Sequence, residues 1–146
     1  MAYRAQEDRW LAKLAGGFLV PVAADLASRA AVGAVVDADR VDPRDDRQVR
    51  SALSRAIAAI VAVHLASAGA TYYVSETAES LDVQAFARGG AWSEVFNTAL
   101  ISVFGIQFAD EVARIPAQGA RRTLTSARSA EQNRTLLDRA RRASFF

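Results

Sequence analysis

Apolar side chains return at three- and four-residue steps through the first part of the chain: Trp10, Leu11, Leu14 and Phe18, then Val22, Leu26 and Ala30 beyond Pro21. That spacing predicts amphipathic helix with these residues facing a core. Gly16-Gly17 and Pro21 interrupt the pattern, so it predicts one helix over 3–15 and a second over 21–36, with Pro21 in a first turn that needs no amide. A polar connection from Asp37 to Asp42 follows. Asp42-Pro43 offers an N-cap and a first-turn proline, and Asp45 and Asp46 put negative charge where a helix dipole favours it. Val49, Leu53, Ala56, Ile57, Ile60 and His64 then share one face, and the apolar surface widens toward Val63 and Leu65. A helix apolar on most sides is expected to be buried on most sides.

Thr71-Tyr72-Tyr73-Val74 is rich in strand formers, but no second alternating run exists to pair with it, so helix is expected to about Tyr73. Ser80 then caps a short helix that Gly89-Gly90 ends. A long helix is predicted from Trp92 to about Ile115, closed by Pro116, with Val95, Phe96, Ala99, Leu100, Val103, Ile106 and Ala113 inward. After Pro116 the apolar content thins to Leu124, Leu136, Leu137, Phe145 and Phe146, which fits one basic helix. The predicted fold class is all-α, a bundle of five or six alanine-rich helices. Residues 1–116 form the helical body, and 117–146 form an arginine-rich helix or arm of the same domain.

Composition sharpens this picture in two places. The 51% apolar fraction is dominated by alanine, which favours helix and adds little buried area per residue. An uncharged stretch of 19 residues runs from Ala56 to Val74, close to the ~20 that an apolar helix needs to cross a bilayer. Seven of its positions are alanine, and His64, Ser67, Gly69 and Thr71 interrupt it, which makes insertion marginal. A buried central helix is therefore expected rather than a membrane span. The first ten residues alternate charges instead of leading into an apolar run, so no export signal is expected, and the location is read as cytoplasm or virion.

The chemistry available is sparse. With one histidine and no cysteine, a single chain builds neither a His/Cys zinc site nor a Cys-His nucleophile pair. No Gly-x-Ser-x-Gly elbow and no phosphate-cradling glycine loop is present. His64 falls on an apolar face and reads as a core or interface residue. The acidic pairs Asp45-Asp46, Glu76/Glu79 and Asp110-Glu111 read as solvated groups or helix-dipole partners. The expectation is a protein with no enzymatic activity, no cofactor and no metal.

Charge is distributed unevenly. Residues 114–146 carry eight arginines against two acids, whereas residues 1–113 carry ten basic and fourteen acidic side chains. Arg121, Arg122, Arg128, Arg134, Arg139, Arg141 and Arg142, with Phe145 and Phe146, are the candidate partner-binding residues. Arginine forks suit an acidic protein surface, and terminal aromatics need something to bury them. Nucleic acid is the second class of partner, through phosphate contacts.

The segment Asp42-Pro-Arg-Asp-Asp-Arg-Gln-Val-Arg-Ser-Ala-Leu53, the alanine-rich helix ending near Tyr72-Tyr73, and the stretch from Phe108 through Arg121-Arg122-Thr-Leu124 resemble the helical part of tailed-phage minor head proteins. The resemblance implies a virion component near the portal that contacts other subunits, and it implies no catalytic residues. Together these features lead to an expected non-enzymatic structural or assembly protein, a homo-oligomer or part of a multi-protein assembly. The alternatives are a nucleic-acid-binding helical module and a membrane-associated helical protein.

Overall fold

Asp45 sets the start of the second helix. Its Oδ1 accepts hydrogen bonds from the backbone N–H groups of Arg47 (2.9 Å) and Gln48 (3.3 Å), the N-cap arrangement, and Gln48 Nε2 donates to Oδ2 at 3.0 Å. Asp42 makes a turn instead, with Oδ1 accepting from Arg44 N at 2.9 Å. The helix therefore begins three residues later than the Asp42-Pro43 pair predicts.

In the computed structural model, residues 2–113 and 125–142 are described, with side-chain surroundings for 9–37, 39–103, 105 and 130–142. Among these the fold is all-α with four α-helices: α1 Ala2–Val35, α2 Asp46–Thr77, α3 Leu81–Ala113 and α4 Thr125–Arg141. A single 3-10 turn, Ala38–Arg40, lies between α1 and α2. The strand-forming residues at 71–74 are helical.

Two expected helix breaks are absent. α1 runs unbroken through Gly16, Gly17 and Pro21, and α3 runs unbroken through Gly89 and Gly90. These glycines serve close helix approach. A Cβ on Gly16 would run into the carbonyl oxygen of Phe86, one on Gly89 into the carbonyl oxygen of Lys13, and one on Gly90 would lie 2.6 Å from a Val20 methyl. The cost of glycine in a helix, about 1 kcal/mol each, is offset by backbone-to-backbone packing of α1 on α3. The predicted ends at Ile115 and Pro116 fall outside the described residues.

The chain forms two compact units whose boundaries fall inside the long helices. The first comprises Met1–Ala27 and Val61–Leu100, the second Ser28–Ile60 and Ile101–Phe146. The second has an ordinary core: Val32, Val36, Val49, Leu53, Ala56, Ile60, Leu136, Leu137 and Ala140 are buried together. The basic helix α4 packs there through Leu136, Leu137 and Ala140. Asn133 ties it to the start of α2, donating from Nδ2 to Pro43 O (2.7 Å) and to Asp46 Oδ1 (3.0 Å).

The first unit has a different interior. Every apolar side chain fully buried there among the described residues is an alanine: Ala24, Ala68, Ala85, Ala87 and Ala91. The large side chains are outside. Trp10, Leu11, Leu14, Phe18, Val22 and Leu26, the predicted core face of α1, are all exposed, and so are Val95 and Phe96, predicted to face inward from α3. Beyond this unit on the same helix, Val103 is exposed as well. The expectation that α2 is buried on most sides fails likewise, with Leu65, Tyr72, Tyr73 and Val74 in the open. Small residues draw the helix backbones together, which leaves no room between them for the large ones.

Candidate functional site

His64 and Glu94 meet inside this unit. α2 carries His64 on the face that includes Ile60 and Ala68, one turn away on either side, and α3 carries Glu94 one turn after Gly90. His64 Nδ1 lies 2.7 Å from Glu94 Oε2, and the two side chains are 4% and 0% exposed. One proton lies between them, whichever group carries it. Glu94 Oε1 is buried with no hydrogen-bond partner among the described residues. A buried acid needs a partner to be tolerated, and an imidazole at this distance supplies one. His64 is thus the core histidine that its helical face predicts.

Glu94 was not singled out by sequence reasoning. Its signal is present: it is the lone charge between Arg88 and Asp110. A single carboxylate in an otherwise uncharged helical run has to find an internal partner.

The pair sits within a shell of opposite character to its own. Around it the unit exposes Phe18 at 68%, Trp92 at 75% and Phe96 at 64%, with Leu14, Leu19, Val22, Leu26, Leu65 and Val95 also exposed. Buried polar side chains under exposed large apolar ones reverse the usual arrangement of a water-soluble domain. Two helical segments, Arg9–Val35 and Asp46–Thr77, are long and apolar enough to cross a membrane, and only 17% of the most apolar 18-residue window of each is buried. The core helix of a soluble protein would be mostly covered.

On each of the three helices α1, α2 and α3 an exposed aromatic side chain stands within four residues of a charge. Trp10 adjoins Arg9, Tyr73 precedes Glu76 by three residues, and Trp92 follows Arg88 by four. Arg88 Nη2 lies 3.8 Å from Glu76 Oε1, with both side chains about half exposed, an ion pair of small energetic weight.

The predicted arginine site is only partly gathered. Arg134, Arg139, Arg141 and Arg142 are exposed on or just after α4, opposite its buried Leu136–Leu137 face. Arg134 lies 3.9 Å from Glu131, and Arg141 lies 3.7 Å from Asp39. Arg139 and Arg141 fall in the last turn, where the helix dipole favours cations. Arg128 is on α4 with its side chain outside the described set, and Arg121, Arg122, Phe145 and Phe146 lie outside the described residues. Among described residues no three histidine, aspartate or glutamate side chains gather in a way that could hold a metal ion. No protein-family model, characterised protein or solved structure matches the chain.

Proposed function

We propose that this chain is a non-enzymatic, membrane-embedded helical protein whose first unit lies in the bilayer, with the His64–Glu94 pair as its internal polar lock. The observation that carries this reading is the inverted polarity of that unit: alanine, glycine, histidine and glutamate inside, and leucine, valine, phenylalanine and tryptophan outside. Lipid tails are as apolar as leucine, so helices in a bilayer associate through small residues and interhelical hydrogen bonds. The glycine contacts between α1 and α3 and the His64–Glu94 bond between α2 and α3 are devices of that kind.

Dimensions support the same reading. The uncharged stretch of α2 from Ala56 to Val74 has 19 residues, the first five of them in the second unit, and spans about 28 Å at 1.5 Å per residue, close to a hydrocarbon core of about 30 Å. Exposed Trp10, Tyr72 and Tyr73 stand close to charged residues, as aromatic side chains do at a membrane interface. Neither Asp25 nor Arg29, the charges within the apolar part of α1, lacks an interaction partner.

Membrane isolation followed by an alkaline carbonate wash tests this directly. The protein is expected to stay in the pellet and to leave it only with detergent. The assembly reading, in which neighbouring subunits cover the same surface, requires a carbonate-soluble protein of defined multimeric mass. That result overturns the proposal.

A further inference from the structure

We infer that a cleft between α1 and the N-terminal turns of α3 binds the phosphate of an anionic lipid headgroup; the inference rests on the membrane reading above. The cleft has a volume of about 330 Å³ and is lined by Arg9, Trp10 and Lys13 from α1 and by Leu81, Gln84 and Arg88 from α3. Three of these side chains are cationic, and no described residue lining the cleft is acidic. The site lies wholly within the first unit, at the border where the apolar surface gives way to charge.

Each part of the lining suits one part of such a ligand. Arg9, Lys13 and Arg88 supply converging positive charge, and arginine offers paired N–H donors to phosphate oxygens. Leu81 and Trp10, both exposed, offer apolar surface at the headgroup level, where tryptophan settles in membranes. The N-terminus of α3 adds its positive dipole end, with the carboxylate of its first turn, Asp82, outside the lining. Gln84 Nε2 is held by the carbonyl of Ala78 at 2.6 Å, which fixes that wall of the cleft. Arg88 reaches only weakly toward Glu76, at 3.8 Å, so a phosphate could compete for it. Basic pockets between membrane helices are a recognised setting for phosphate-bearing headgroups.

The shared chemistry, a phosphate anion, could also come from solution, and the test separates the two sources. Full-length protein is reconstituted in nanodiscs of phosphatidylcholine with a minor fraction of phosphatidylglycerol, and lipid retained after extraction is read by native mass spectrometry. Inorganic phosphate is added in a parallel arm. Wild type is expected to retain phosphatidylglycerol over phosphatidylcholine, and excess inorganic phosphate is expected to leave that preference standing. The double variant Arg9→Gln/Lys13→Gln, which spares the Arg88–Glu76 contact, should lose about thirtyfold in this preference, at about fivefold per cation removed near a charged headgroup. Arg9→Lys, which keeps the charge, should lose far less. Equal retention of both lipids, or a double variant that matches wild type, overturns the inference. Displacement by inorganic phosphate with no lipid preference assigns the cleft to a soluble anion and overturns it as well. Failure of every variant, wild type included, to enter nanodiscs is a separate result and refutes the membrane reading itself.

Discussion

Replacing Glu94 with alanine removes a carboxylate and one methylene from a position with no access to water, and it leaves the His64 ring buried without its partner. Loss of the methylene alone costs about 0.8 kcal/mol. The larger contribution is the orphaned imidazole, since breaking a buried pair by removing one member typically costs about 3–5 kcal/mol. Polar contacts between membrane helices average only about 0.6 kcal/mol, because the unfolded helices find other partners in the bilayer. This pair lies between helices drawn together by glycine and alanine, where neither lipid nor water reaches it, so the orphaning cost should dominate. Glu94→Ala and His64→Ala are each expected to lose about 3 kcal/mol. The double variant should lose about 4 kcal/mol rather than the additive 6, because nothing is then left unpaired, giving a coupling of about 2 kcal/mol. Glu94→Gln keeps a hydrogen-bonding partner for the ring, since its amide offers both an acceptor and a donor, and should lose about 1 kcal/mol. Denaturant unfolding in detergent micelles, followed by Trp92 fluorescence in a Trp10→Phe background, measures all four. Additive single losses, to within about 0.5 kcal/mol, would refute the reasoning that the two side chains act as a unit.

Three further outcomes are expected. Gly16→Ala and Gly89→Ala drive a methyl into the backbone of the facing helix and should destabilise the first unit, whereas Gly33→Ala and Gly69→Ala, with open space around them, should gain about 0.5–1 kcal/mol in thermal unfolding. Asn133→Leu removes two hydrogen bonds that hold α4 to the start of α2 and should cost about 1–3 kcal/mol, read by the loss of protection of α4 amides in hydrogen exchange. The Asp45 carboxyl is held below its ordinary value of 3.8 by the backbone N–H groups of Gln48 and Arg47. Its stabilising contribution is therefore full above 3.8 and lost as pH falls through the lower folded value. Asp45→Asn, which caps without a charge, should flatten that acid limb of a melting-temperature profile.

The all-α class was legible because alanine richness and three-to-four-residue periodicity need no knowledge of the surroundings. So was the shared face of Val49, Leu53, Ala56, Ile57, Ile60 and His64, all buried except Ile57, which is half-buried. The glycine doublets misled because helix propensity treats glycine as an interruption, while a partner backbone treats it as room. Gly16 against Phe86 and Gly89 against Lys13 show the second effect prevailing. The direction of burial was hidden for a related reason. The series Trp10, Leu14, Phe18, Val22 and Leu26 marks an apolar stripe, but periodicity does not say whether the stripe meets protein or lipid. The small residues on the other face, Gly16, Ala24 and Ser28, are the buried ones. Glu94 was missed because a lone acid in a list of acids looks solvated, and only its uncharged neighbourhood marks it as different. Of the arginine site, the α4 members were correctly placed on a helix, and their exposure follows from the Leu136–Leu137 face that anchors them.

The central claim, that lipid covers the first unit, is tested most directly by spin labels. The chain has no cysteine, so a single cysteine at Phe18 or Phe96 carries a nitroxide without background. In reconstituted vesicles both labels are expected to collide freely with oxygen and to be shielded from a water-soluble nickel chelate, while a label at exposed Arg142 shows the reverse. Labels at 18 and 96 that the chelate reaches, or that are shielded from both reagents by neighbouring chains, would contradict the account.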